Sequence, residues 1–108
     1  ILYMKDYHLN ELLSNLLDNA IENCSKNNSQ IDIVIEEDVF LYIEVVNQID
    51  KSVLENNPNL HTSKIGETHG HGIKSIQRIV NEYGGSIKFF EKDLEFHVSV
   101  IIPINHPR

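Results

Sequence analysis

Residues 9–25 constrain the fold most strongly, because they form one long amphipathic pattern, L-N-E-L-L-S-N-L-L-D-N-A-I-E-N-C-S. At a helical pitch of ~100° per residue, one face collects the apolar side chains of Leu13, Leu16, Leu17, Ala20, Ile21 and Cys24. The opposite face collects the polar side chains of Asn15, Asp18, Asn19 and Glu22. The pattern predicts a helix over residues 8–25.

The two asparagines of this helix lie one turn apart, about 40° from each other around the axis. Asparagine is a poor helix former, because its amide competes for backbone hydrogen bonds. Two of them in mid-helix therefore indicate a functional face. Amide oxygens are suitable ligands for Mg²⁺, which completes its coordination shell with water and phosphates. The alternative is a solvated helix face that is rich in asparagine.

Length and composition limit the classes of protein. A chain of 108 residues predicts a single domain, residues 1–108, and a start at Ile1 without Met predicts a fragment of a longer protein. The net charge of -7 argues against nucleic-acid binding. No apolar run reaches membrane-spanning length, so we expect a cytoplasmic segment outside the membrane. Cys24, the only cysteine, excludes an internal disulfide and is expected to be a buried structural thiol.

The rest of the chain reads as two hairpins and a second helix. Alternating Ile31, Ile33 and Ile35 predict a half-buried strand over 31–36, and the apolar run 39–46 predicts a central strand after a turn at 37–38. Residues 47–67 are irregular and long enough to be functional. A helix is predicted over 73–82, with Ile73, Ile76, Ile79, Val80 and Tyr83 as its apolar stripe.

Gly84-Gly85 ends that helix, and strands follow over 86–91 and 96–103 with a turn at 92–93. The tail 104–108 is expected to be disordered. The order of elements predicts an α+β fold: a two-layer sandwich with helices on one face of a mixed, mainly antiparallel sheet.

A glycine-rich segment, G-E-T-H-G-H-G-I-K-S-I, covers residues 66–76. Gly70 and Gly72 let the backbone approach a ligand, and a helix that begins directly after Gly72 aims free N–H groups and its positive dipole end at the same place. Lys64 and Lys74 add positive charge nearby. The segment therefore predicts an anion site, with a flexible linker as the alternative.

Two smaller signals are ambiguous. His61, His69 and His71 invite a metal interpretation, but no carboxylate or thiol pattern completes a zinc set, so solvated histidines or a phosphate contact are favoured. Asn47 follows the central strand, where a polar residue commonly marks a ligand site, although it is also a good turn residue.

Together these motifs resemble the catalytic ATP-binding (HATPase) domain of sensor histidine kinases, in the GHKL superfamily with its Bergerat fold. The resemblance covers about residues 8–103. N-L-L-D-N-A-I-E at 15–22 looks like the asparagine box, H-G-H-G-I-K-S-I at 69–76 looks like the second glycine box, and T-S-K at 62–64 is similar to the tripeptide before the lid. The variant resembles the peptide-responsive quorum-sensing kinases of Gram-positive bacteria.

The resemblance implies ATP and Mg²⁺ as cofactors. It implies that Asn19 holds Mg²⁺, that Asn15 assists at the phosphates, and that both act in catalysis. It places Asn47 where the superfamily usually has the Asp that reads adenine. The remaining implied ATP-binding residues belong to the lid or to the second glycine box: Thr62, Ser63, Lys64, Gly70, His71, Gly72, Ile73 and Lys74.

Three positions depart from the family pattern. V-V-N-Q-I-D at 45–50 replaces the D-x-G-x-G of the first glycine box, so adenine would be bound without charge assistance. Leu60 stands where many relatives carry an aromatic residue. Asn15 occupies the place of the general-base Glu of ATP-hydrolysing relatives, which favours phosphoryl transfer over hydrolysis.

The implied partners are a dimerisation domain that carries the phosphoacceptor histidine and, downstream, a response regulator in a two-component phosphorelay. The implied setting is the cytoplasmic part of a membrane-bound sensor. Two alternatives stay open: a degenerate, non-catalytic GHKL interaction module, and an anti-sigma-type serine kinase.

Overall fold

The computed structural model describes residues 3–56 and 69–104. Its elements follow in the order α1 (Asp6–Asn23), β1 (Ile31–Glu37), β2 (Phe40–Gln48), α2 (Val53–Asn56), α3 (His69–Glu82), β3 (Ser86–Lys92) and β4 (Glu95–Pro103). The strands form one sheet in the order β1-β2-β4-β3, and all three pairings are antiparallel. The α+β prediction is confirmed. The prediction also allowed a mixed sheet, but the strand pairs in the described residues are all antiparallel.

The core lies between one face of the sheet and the two longer helices. Strand side chains alternate, so that one set on β2 and β4 is buried: Leu41, Ile43, Val45, Phe96, Val98, Val100 and Ile102. Four residues of α3, at the predicted stripe positions Ile73, Ile76, Ile79 and Val80, are buried with them. Because α1 packs against β2 and α3 against β3 and β4, the helices cover one face, which makes the predicted two-layer sandwich.

The buried stripe of α1 differs from the predicted one. Leu12, Leu16 and Ala20 are buried, whereas Leu17 and Ile21 are 36% and 61% exposed. The helix packs with the side centred on Leu16 toward β2 and α3, which turns Leu17 and Ile21 outward. The prediction of a buried Cys24 is wrong as well, since this thiol is half-exposed and donates to the Ile21 carbonyl at 3.3 Å.

Strand β1 also departs from its prediction. Only Ile31 is partly buried, and the other six residues are exposed, because α1 lies over β2 and leaves this edge of the sheet uncovered. The hairpin turn falls at Asp38-Val39, one residue later than expected, and the turn between β3 and β4 falls at Asp93-Leu94, where both residues have positive φ. The prediction that β2 is central is confirmed.

The helix ends are set by local contacts. Gly84 has a φ of 72° and ends α3 in the left-handed conformation, as the sequence predicted. His8, buried near the start of α1, has its Nδ1 2.6 Å from the Tyr83 hydroxyl, which also accepts the Lys5 N–H at 3.1 Å. These contacts fix the start of α1 against the end of α3.

The segment predicted to be irregular begins later than expected, because Asn47 and Gln48 belong to β2. Near the C-terminus, Ile104 donates its N–H to the Val39 carbonyl at 3.2 Å, and residues 105–108 lie outside the described part. No helix in the described ranges combines the length and apolar character that a membrane crossing needs.

Candidate functional site

The polar face of α1 meets the first turn of α3. A methyl group at Gly72 would lie 3.7 Å from the Asn15 Oδ1 and 3.9 Å from its Cβ, so the two residues face each other closely. The structure thus brings together the two motifs that the sequence singled out independently. Helix α3 begins at His69 rather than after Gly72. Gly70 and His71 therefore lie in its first turn, where backbone N–H groups have no partner within the helix, and Gly72 is its fourth residue.

Asn19 carries the most informative atom of this junction. Its Oδ1 is buried and finds no hydrogen-bond partner among the described residues. Its own backbone carbonyl accepts the Asn23 Nδ2 at 2.9 Å. A buried polar atom without a hydrogen-bond partner lowers the stability of the fold by roughly 1–3 kcal/mol. A bound ligand that contacts this oxygen would remove that cost. A hard cation fits a neutral amide oxygen in this position.

Asn47 is the buried polar residue of the central strand. It is 1% exposed and lies between Ile31 of β1 and Phe96 of β4 in the sheet register. Its Nδ2 donates to the Gln48 carbonyl at 3.2 Å. The sequence placed Asn47 just beyond the strand, whereas it is the penultimate residue of β2.

Sequence reasoning missed Ser25, which is 5% exposed and joins the exit of α1 to the exit of β2. Its backbone N–H donates to the Gln48 carbonyl at 2.6 Å, and its Oγ donates to the Asp50 carboxylate at 2.6 Å. The same Oγ accepts the N–H groups of Asn27 and Asn28 at 3.1 Å. The polar run that ends the first helix was the available signal, but a run of this kind does not reveal its long-range partner.

Glu91 of β3 is the second residue that the sequence did not reveal. Its carboxylate accepts hydrogen bonds from the Ser52 hydroxyl at 2.6 Å and from the N–H groups of Val53 and Leu54 at 2.6 and 2.9 Å. Burial of the group acts to raise its pKa, but these three donors outweigh that effect and hold the pKa of Glu91 below its usual value. The contact ties α2, and with it the chain that leaves β2, to the edge of the sheet.

The other predicted site residues are distributed as follows. Ile73 is buried in the core, so its side chain is not accessible to a ligand, and Lys74 is exposed. Gly70 and His71 belong to the first turn of α3, although the His71 side chain lies outside the description. Thr62, Ser63 and Lys64 lie outside the described residues, as do Leu60, His61 and the side chain of His69.

Solved structures with a similar fold include histidine kinase catalytic domains. The nucleotide-free catalytic domain of the histidine kinase ThkA matches with a TM-score of 0.75 and 23% identity, over 94% of this chain and 69% of that one. The Acinetobacter baumannii histidine kinase AdeS matches with a TM-score of 0.69 and 16% identity, over 93% of this chain and 47% of that one. At these identities the likeness establishes the fold. A search among curated proteins found no match.

Fold and site together define a two-layer α+β domain with a polar junction between its two longer helices. The family model described as a GHKL domain matches residues 4–103. The chain therefore belongs to the GHKL domain family, and it has the fold of histidine kinase catalytic domains.

Proposed function

We propose that this chain binds Mg-ATP and donates the γ-phosphate to a histidine on a separate dimerisation domain, as the kinase module of a two-component sensor. One observation carries the proposal. The Asn19 Oδ1 is buried without a partner among the described residues, on the helix face where Asn15 meets Gly72. Membership of the GHKL family and the likeness to histidine kinase catalytic domains support it.

The metal and phosphate contacts are assigned to the helix junction. Asn19 would hold Mg²⁺ through its Oδ1, and Asn15 would assist at the phosphates from the next turn. The backbone N–H groups of the first turn of α3, at Gly70 and His71, would bind phosphate oxygens with the positive end of the helix dipole behind them, and Gly72 would leave room for the ligand beside Asn15. When bound there, Mg²⁺ would neutralise charge on the phosphates.

The adenine contact is assigned to Asn47. An amide carbonyl accepts a hydrogen bond from an amino group, but without the charge assistance that a carboxylate gives. We therefore expect weaker base recognition than in relatives with Asp at this place. This proposal includes the lid residues Thr62, Ser63 and Lys64 on the strength of the family resemblance only.

The residue at position 15 bears on the fate of the phosphoryl group. An amide has no basic lone pair to take a proton from an attacking water, so Asn15 cannot act as a general base. The site would position ATP and stabilise charge rather than activate water, which fits transfer to a partner.

Titration with a fluorescent ATP analogue in the presence of Mg²⁺ tests the binding step. Asn19→Ala should weaken binding about tenfold or more, because a contact to a charged group is worth roughly 1.5–3 kcal/mol. Asn10→Ala is the matched control, since Asn10 is an exposed asparagine on the same helix. Equal affinities of the two variants would contradict the assignment of Asn19.

Transfer itself is tested by mixing the chain with radiolabelled ATP and a purified dimerisation domain. Acid-labile label on a histidine of that domain is the expected result. Stable label on a serine of a partner would instead support a serine kinase. Absence of ATP binding at millimolar concentration would support the alternative of a non-catalytic interaction module. The missing first glycine box is the sequence feature that favours this alternative.

A further inference from the structure

The chain that leaves β2 has no glycines, and contacts from two parts of the domain fix its position. The Ser25 N–H donates to the Gln48 carbonyl at 2.6 Å, which connects the exit of α1 to the end of β2. The Ile49 N–H donates to the Leu94 carbonyl, in the turn between β3 and β4, at 2.9 Å. Residues 47–50 are therefore held in place, without the conformational freedom that glycines would give.

Two side chains reinforce this position. The Ser25 Oγ donates to the Asp50 carboxylate at 2.6 Å, and Ser25 is buried, so the hydroxyl has little access to water. The Gln48 Nε2 donates to the Glu95 carboxylate at 3.0 Å. Because hydrogen bonds to a charged acceptor are stronger than neutral ones, the bond between Ser25 and Asp50 restrains the backbone just beyond Gln48.

The Gln48 carbonyl determines which way the buried amide of Asn47 faces. The Asn47 Nδ2 donates to that carbonyl at 3.2 Å. An amide side chain has a donor end and an acceptor end. With its donor end bound to Gln48, Asn47 has its acceptor end, the Oδ1, left for a ligand, and this oxygen accepts no hydrogen bond from the described residues.

The same carbonyl gives a physical reason for an amide at a position where the family usually has a carboxylate. A carboxylate has no N–H, so Asn47→Asp would set an oxygen where the Nδ2 lies, against the Gln48 carbonyl oxygen. Two acceptors that face each other at a buried position repel, and neither gains a donor. The backbone of residues 47–50 therefore favours an amide.

We propose, on the basis of the proposed function, that Ser25 and the Gln48 backbone are positioning groups for base recognition. Ser25 holds the Gln48 carbonyl, this carbonyl holds the Asn47 amide, and the amide oxygen accepts a hydrogen bond from the amino group at position 6 of adenine. A purine with an oxo group there presents a second acceptor and is rejected, because the amide cannot turn over without breaking its bond to Gln48.

The test compares ATP with inosine triphosphate, which has an oxo group in place of that amino group. Each nucleotide is titrated with Mg²⁺ into the complete 108-residue chain, and inorganic tripolyphosphate measures the phosphate contacts alone. The parent chain should bind ATP at least about tenfold more tightly than inosine triphosphate. Equal binding of the two nucleotides would overturn the proposed positioning and leave Mg-ATP binding intact, whereas binding of neither would contradict the proposed function and this role with it.

Asn47→Asp is the variant with the most distinctive outcome. It introduces the residue type that the family usually has, yet it should weaken ATP binding about tenfold, because it sets two acceptors against each other. Tripolyphosphate should bind as it does to the parent. Asn10→Asp, at an exposed asparagine of α1, is the matched control and should not alter either affinity. Tighter ATP binding by Asn47→Asp would overturn the role of the Gln48 carbonyl.

Ser25→Ala tests the restraint on the backbone. It removes the bond to Asp50 and should reduce the preference for ATP over inosine triphosphate about threefold, with tripolyphosphate binding unchanged. Ser25→Thr keeps the hydroxyl and should restore the preference, and Ser29→Ala, at an exposed serine, should not alter it. Far-ultraviolet circular dichroism checks that each variant is folded. A purely structural role of Ser25 would lower all three affinities together or none of them, and either result would overturn the proposal.

Discussion

The two edge strands of the sheet have the same length and different surroundings. Both β1 and β3 have seven residues and alternate apolar side chains toward the helices. On β3, Ile87, Phe89 and Glu91 are partly buried under α3 and α2, whereas the corresponding side chains of β1 are exposed, apart from Ile31. Alternation in a sequence therefore specifies a strand and its faces, but the cover depends on where the helices come to lie.

The outer faces of the two edge strands also carry charges of opposite sign. The outer face of β3 carries Lys88 and Lys92, which are exposed and discourage pairing with another strand. The outer face of β1 carries Asp32 and Glu36, which are exposed as well. Within the described residues, β3 thus has both a helical cover and lysines on its outer face, and β1 has neither.

The largest expected effect compares two paired residues, one covered by the helices and one exposed. Ile43 and Ile35 are register partners on the same face, and they are 0% and 54% exposed. Ile43→Ala should lower the free energy of unfolding by about 2–5 kcal/mol, because it leaves a cavity in a packed core. Ile35→Ala should lower it by less than about 1 kcal/mol. Urea unfolding of both variants gives the comparison, and similar losses would mean that β1 is covered in solution.

A second prediction concerns the close packing on the covered side, at the two glycines after α3. A methyl group at Gly85 would lie 2.4 Å from the Ile101 carbonyl oxygen, so the backbone must shift. We expect Gly85→Ala to destabilise the fold by about 3 kcal/mol, near the upper end for overpacking.

Gly84 is the matched control, because a methyl group there meets nothing within 4 Å but the φ of 72° is unfavourable for alanine. Gly84→Ala should cost about 1 kcal/mol from conformation alone. The midpoints of urea unfolding should therefore rank parent, Gly84→Ala and Gly85→Ala in decreasing order. The reverse order of the two variants would mean that the contact with Ile101 is looser than the structure has it.

Much of this architecture follows from sequence patterns. The helix of 73–82, its apolar stripe and its stop at two glycines depend on local periodicity and local backbone preference, which the chain displays directly. The central position of β2 followed from its run of apolar residues. The family resemblance assigned Asn15 and Gly72 to one ATP site, and the structure has these two residues facing each other, while the assignment itself stays a prediction.

The parts that the sequence did not reveal depend on tertiary contacts. Leu12, Leu13, Leu16 and Leu17 form a continuous apolar band around one side of α1, and only its docking on β2 and α3 decides which of them are buried. The Ser25 and Glu91 contacts join residues that are far apart in the chain, to Asp50 and to Ser52 respectively. Neither contact produces a repeating pattern in the sequence from which it could be predicted.

The smallest expected effect concerns the charge that holds the covered edge, at Glu91. Because the folded-state pKa of Glu91 lies below the ordinary value of 4.5, its carboxylate stabilises the fold above that pH. The contribution is lost as the pH falls through the folded-state pKa. Glu91→Gln removes the charge, so the free energy of unfolding of this variant should fall less steeply with acidification than that of the parent. The difference in free energy of unfolding between the two proteins should therefore narrow as the pH falls.

Glu36→Gln is the control, because Glu36 is exposed on the other edge strand, and this change should alter the pH profile less. Parallel profiles of parent and Glu91→Gln would mean that the hydrogen bonds to Ser52, Val53 and Leu54 do not favour the charged form, and the anchoring of α2 would then depend on packing alone.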